Sequence, residues 1–171
     1  MRTSKLLLGA IVPILVIASN LRAADALSSA MKQILDHRTG AFSSIRKDPR
    51  GSGDDTMYAS TISLPGTTEC YISKNAKTGF TDSCDVVETK KRAVLVAQYK
   101  KYIKALRDAA PSSWITWTVT TTEPTGKQTH IGPDNTHPAA TVKWALEGMN
   151  KNFYELTVTF YADGYVIEKS K

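Results

Sequence analysis

The residues best suited to chemistry fall in one short stretch, Thr129 to His137 (THIGPDNTH), where two histidines and an aspartate lie within eight residues. His130, Asp134 and His137 are metal-ligand types, and Gly132-Pro133 would fold the segment back into a chelating loop. Zinc takes imidazole and carboxylate donors, but a catalytic zinc site draws on about three protein ligands. The order His-x3-Asp-x2-His meets no familiar ligand spacing. The expectation carried forward is therefore a polar surface loop with two solvated histidines. A metal-dependent enzyme built on His130, Asp134 and His137 stands as the alternative, and no cofactor is expected. His37 belongs to the first helix and reads as a surface or packing residue.

Nucleophilic catalysis finds no support. No Gly-x-Ser-x-Gly elbow occurs. The two cysteines, Cys70 and Cys84, are separated by thirteen residues, unlike the close Cys-x-x-Cys of redox pairs. In an exported chain they read as a structural disulfide, which removes both as nucleophiles. Asp54 and Asp55 are adjacent in a breaker-rich segment, and Asp82 and Asp85 flank Cys84, but neither pair has the spacing of a known acid–base site. Gly51-Ser52-Gly53 lacks the lysine and helix of a phosphate loop.

Two features suit binding rather than catalysis. Lys90-Lys91-Arg92, Lys100-Lys101, Lys104 and Arg107 make one predicted helix strongly basic. Its usual meaning is a solvated helix face, and its functional meaning is contact with an anionic envelope polymer or lipid. The other feature is tryptophan. Trp114 and Trp117 are three apart on a predicted strand and so face opposite sides, and Trp144 lies on another strand. An exposed tryptophan is a common binding anchor. Trp114, Trp117 and Trp144 are the candidate binding residues.

The amino terminus places the chain. Arg2 and Lys5 precede an apolar run of 13 residues, Leu6 to Ala18, followed by a polar stretch ending in Ala24-Asp25-Ala26. This is the three-part pattern of a secretory signal with a small-x-small cleavage site. A spanning helix needs about 20 apolar residues, and Pro13 interrupts this shorter run. The expectation is a signal over residues 1–26 and a mature domain over 27–171, with no second apolar run of spanning length. Cleavage after Ala26 leaves 145 residues and lowers the formal charge from +6 to +4. That length suits one domain with its own core. Export argues against a nucleic-acid partner. The expected compartment is the periplasm, with release outside the cell as the alternative.

Periodicity supplies the elements. Leu27, Met31, Ile34, Leu35, Phe42 and Ile45 predict an amphipathic helix over 27–45, weakened at Gly40. Residues 47–55 read as a loop. Strands are expected over 57–64, 67–73 and 79–85, with a turn at Pro65-Gly66. A hairpin centred on Lys77 sets Cys70 opposite Cys84 and Ile72 opposite Asp82, within bonding reach for the sulfurs. Residues 86–110 predict the basic helix, with Leu95, Val96, Tyr99, Tyr102, Ile103, Leu106 and Ala110 in one arc. Asp85 and Glu88 would lie at its positive start, and Pro111 would end it.

Strands follow over 114–122, 127–131, 140–147 and 153–160. Asp163-Gly164 makes a hairpin turn into a last strand over 165–169. The fold class expected is α+β, a single domain. A helix and three-strand meander precede a helix and multi-strand antiparallel meander, with the helices packed on the sheet and one disulfide. The function expected is a small exported, non-catalytic binding or accessory protein.

Overall fold

Tight turns between short amphipathic strands force antiparallel pairing, and the chain satisfies it with one sheet. The computed structural model describes residues 12–50, 56–75, 79–122, 125–147 and 152–167, with side chains from Ala24 onward. The first half contains α1 (Val12–Asp36), a 3-10 turn (Ser43–Ile45), β1 (Arg46–Arg50), β2 (Met57–Ser60), β3 (Glu69–Asn75) and β4 (Gly79–Thr89). The second contains α2 (Arg92–Ala109), β5 (Ile115–Thr122), β6 (Thr125–Gly132), β7 (Ala140–Glu147) and β8 (Phe153–Tyr161).

The halves join edge to edge. Strand order is β1-β2-β3-β4-β8-β7-β6-β5, so the last strand of each half meets at the centre of an eight-stranded sheet. Every pairing is antiparallel. α1 packs on α2, and α2 lies against β4, β6, β7 and β8. Leu27, Met31 and Ile34 of α1 join Leu95, Tyr102 and Leu106 of α2 in one core with Ile72, Leu156, Val158 and Phe160. The arrangement is the α+β domain expected from the pattern.

The hairpin carrying the cysteines forms in the predicted register. Cys70 pairs with Cys84 and Ile72 with Asp82, and the two sulfurs are bonded. Pro65-Gly66 forms its turn, with Gly66 at φ 90° and the Thr67 amide donating to the Leu64 carbonyl at 3.1 Å.

Several boundaries differ from the sequence expectation. α1 ends at Asp36 rather than continuing to Ile45. Ala41 and Phe42 then take left-handed φ of 49° and 62°, an unfavourable conformation for a side-chain-bearing residue. The fully buried Phe42 ring secures that corner. Residues 47–50, expected as loop, join Arg46 in β1. It is an edge strand, which is where proline and charge are tolerated, and it holds Lys47, Asp48 and Pro49, with Pro49 opposite Tyr58. The first meander therefore has four strands instead of three.

Residues 86–89 are strand, not the first turn of α2. Val86, Val87 and Thr89 are β-branched, and β8 offers Leu156, Glu155 and Tyr154 as partners. A bulge between Asp85 and Val87 lets both valines pack toward the core. Asp85 and Glu88 consequently lie on the sheet, and no acidic residue occupies the first turn of α2. The turn at Asp163-Gly164 forms, but Tyr165 to Ile167 make no strand. Residues 168 and 169 of that predicted strand lie outside the described residues.

The disulfide closes a loop across a sequence separation of 14, for which chain entropy gives about 3 kcal/mol. The double variant Cys70→Ser, Cys84→Ser is expected to keep the far-ultraviolet spectrum of the sheet and to lose about that stability in denaturant titrations. Equal midpoints for oxidised and reduced protein would contradict the assignment.

Candidate functional site

Two helices cover one face of the sheet, and among the described residues no helix covers the other. Strand alternation decides what it displays. Register places Tyr71, Ser83, Thr159, Thr141, His130 and Trp117 in one row running from β3 to β5. The row is tied laterally. Ser83 and Thr159 hydroxyls are 3.2 Å apart. His130 Nδ1 lies 2.7 Å from Thr141 Oγ1. The Trp117 ring stacks on the His130 ring at 5.1 Å between centroids. Beside the row, Tyr161 stacks on Tyr165 at 4.2 Å. Burial pushes the Tyr161 hydroxyl up to about 12 and outweighs its bond with Thr141.

One end of this face is acidic. Glu69 is opposite Asp85, and Glu88 is opposite Glu155. Asp85 is pushed up by burial, then by Glu69 and Glu88. Glu155 is pushed up by burial, then by Asp85, Glu147 and Glu88, with Lys143 opposing. Tyr71 responds to burial and then to the same carboxylates. Arg50 reaches Glu69 at 3.2 Å. Like charges this close destabilise a fold, so the cluster is a cost that packing does not require.

The predicted chemical residues separate. His130 is 4% exposed and held in the row by Trp117 and Thr141, and burial lowers its pKa, favouring the neutral ring. Asp134 and His137 pair in the exposed β6–β7 loop, with His137 Nδ1 2.8 Å from Asp134 Oδ2. Asp134 Oδ1 also accepts from the Thr136 hydroxyl at 2.6 Å and from the Thr136 and His137 amides at 2.7 and 2.9 Å, and these bonds, the Thr136 hydroxyl first, hold its pKa well below the usual carboxylate range. This is turn chemistry. Gly132 permits it, because a Cβ there would lie 2.2 Å from the His137 carbonyl. Among the described residues no group of three or more His, Cys, Asp or Glu side chains converges as a metal site. His130 and Thr141 have the spacing of a base and hydroxyl, but Thr141 is 3% exposed and closed to substrate.

The tryptophans occupy three different places. Trp117 is on the open face. Trp114 lies on the helix side under the Arg38 guanidinium, 5.4 Å from its ring centre, in a cleft of about 620 Å³ whose charges pair internally as Lys32–Asp36 and Arg38–Asp163. Trp144 faces α2 across a separate cleft and meets Tyr154 edge-on at 5.9 Å. All three are half-buried, and they form no single patch.

Asp82 was not read as functional from sequence, although the hairpin register already set it inward beside Cys84. It is fully buried. Its Oδ2 accepts from the Ser60 hydroxyl at 3.0 Å, and its Oδ1 has no partner among the described protein atoms. Burial raises its pKa to about 7 against the Ser60 bond. The chain matches no family model, no curated protein and no solved structure.

Because the folded pKa of Asp82 is raised, its contribution to stability is fully present below pH 3.8 and lost as the pH rises to about 7. The folded chain then holds a proton that the unfolded chain has released, at about 1.4 kcal/mol per pH unit. Asp82→Asn keeps the Ser60 bond without the titration. Relative to the parent chain, its melting temperature is expected to gain more at pH 8 than at pH 4. An equal difference at both pH values would refute a buried, titrating carboxylate.

Proposed function

We propose that this is an exported, non-catalytic binding protein whose open sheet face receives another protein, with basic side chains of the partner meeting the acidic end. The observation that carries the reading is the crowding of Glu69, Asp85, Glu88 and Glu155 on the uncovered face. Arg50 pairs with Glu69, but Asp85, Glu88 and Glu155 have no ion pair among the described residues, and a partner's cations would relieve their repulsion and steer the encounter. The half-buried Tyr71 and Trp117 at the two ends of the row supply neighbouring contact surface. Tyrosine and tryptophan give large contact area at low ordering cost.

Export is supported by three features. The residues up to Ala26 have the grammar of a secretory signal. The disulfide suits an oxidising compartment, and no described helix is long and apolar enough to cross a membrane. α1 runs through the expected cut, where Ala24, Asp25 and Ala26 are exposed and Leu27 is the first core side chain among those described. Cleavage there would spare every described core side chain. We place the mature protein in the periplasm, with release as the second possibility.

The test is recovery of the protein, tagged after Lys171 and expressed with its own signal in its source cell. The mature chain is expected to begin at Leu27 and to retain one stoichiometric protein. Asp85→Lys combined with Glu155→Lys is expected to weaken that complex at least about tenfold. A partner held equally by the variant, or the absence of any partner, would overturn the reading.

A further inference from the structure

We propose that the cleft between α2 and the helix-side surface of β5, β6 and β7 binds a single-chain lipid anion, an unbranched apolar chain ending in a phosphate or carboxylate. The cleft arises because α2 is too narrow for the sheet. α2 lies over β4, β8 and β7 and only borders β6, leaving a space of about 560 Å³ toward β5. Ligand sites fall in the range of about 300–1,000 Å³.

The cleft is elongated. Arg92, Val96, Lys100, Ile103 and Arg107 all line it. Their spacing along one side of α2 makes a stripe about 22 Å long at the helical rise. An apolar strip runs along its interior. Val96, expected in the buried arc, is 39% exposed, and Ile103, Tyr99 and Trp144 continue the surface inward. At the bottom, the Tyr99 hydroxyl lies 2.6 Å from Thr129 Oγ1, which lies 2.9 Å from Thr118 Oγ1, so the buried polar atoms are already satisfied.

The rim is cationic. Lys104 is held by Asp108 at 2.6 Å, and Asp108 is the lone carboxylate among the lining residues. Arg92, Lys100 and Arg107 from α2 and Lys127 from β6 line the same space. Among the described residues, none of the four has a carboxylate within ion-pair distance. Cations on both walls suit a chain lying between them better than a flat bilayer surface. The Val96, Ile103 and Trp144 strip gives free phosphate nothing beyond the rim cations, and an anionic glycan would set its hydroxyls against Val96 and Ile103. The cleft lies on the opposite side of the sheet from the acidic face, so this inference does not depend on the protein partner.

The probe is dodecyl phosphate, held below its micelle concentration and titrated into the full chain while calorimetric heat and tryptophan fluorescence are followed. Saturable one-to-one binding is expected, with competition by dodecanoate. Val96→Glu is expected to weaken it at least about tenfold, and so is Lys100→Glu combined with Lys127→Glu. Lys74→Glu, at an exposed position of β3, is expected to bind as the parent does. All of these positions are exposed, and melting temperatures confirm that each variant is folded. The proposal is overturned by no binding, by equal affinity for uncharged dodecanol, or by undiminished affinity in both cleft variants. Binding only to anionic vesicles or to a sulfated polysaccharide would also overturn it.

Discussion

The pairing of β4 with β8 is the interaction on which the remaining structure depends. It runs from Thr81 opposite Tyr161 to Thr89 opposite Tyr154 and joins two meanders that are otherwise separate in sequence. A four-stranded meander with a single helix buries a small core. Joined edge to edge, the halves place Cys84 opposite Val158 and Asp82 opposite Phe160, and the two helices share one apolar layer. The seam also removes two sheet edges from solvent. The remaining edges are β5 and the short, charged, proline-bearing β1, an edge type that resists further pairing.

Much of this was legible in the sequence because short-range chemistry and alternation agreed. Cys70, Ile72, Asp82 and Cys84 took their register from a hairpin centre, and the disulfide chemistry independently demanded the same register. Where local signals conflicted, tertiary partners decided. Val86 to Thr89 fit the start of a helical arc as well as a strand, and β8 resolved the ambiguity by offering a ladder. Arg46 to Arg50 has no strand signature of its own. It pairs because β2 has a free edge, which no local pattern encodes.

The candidate site was less legible, for a related reason. The histidines looked like a cluster because they are close in sequence, but the side-chain alternation of β6 and the turn at Asp134 send them to different surroundings. The three tryptophans invite a single patch, yet each strand's pleat directs its own ring. Conversely, Glu69, Asp85, Glu88 and Glu155 come from three strands and are gathered only by the pairings of β3, β4 and β8. Sequence reading had set two of them at a helix start, so their mutual repulsion was invisible.

The two faces of the sheet end with opposite electrostatics, and a single geometric fact produces both. α2 is one helix of 18 residues laid across a sheet of eight strands. Its inward stripe of Leu95, Tyr99, Tyr102 and Leu106 is buried against the core, with Tyr99 also reaching the edge of the cleft. Its cationic flanks therefore fall at the margins of the covered area, where the sheet floor is exposed beside them. On the reverse side no helix among the described residues neutralises the strand carboxylates, and the bulge at Asp85 turns both valines inward while keeping Asp85 and Glu88 outward. The sheet itself thus sorts most of these charges, with Arg92, Lys100, Arg107 and Lys127 at the helix-side cleft and Asp85, Glu88 and Glu155 on the open face, where Lys143 opposes them. A sheet thick with hydrogen-bonded threonine and serine separates the two surfaces, so each can meet a ligand of opposite charge without drawing on the other.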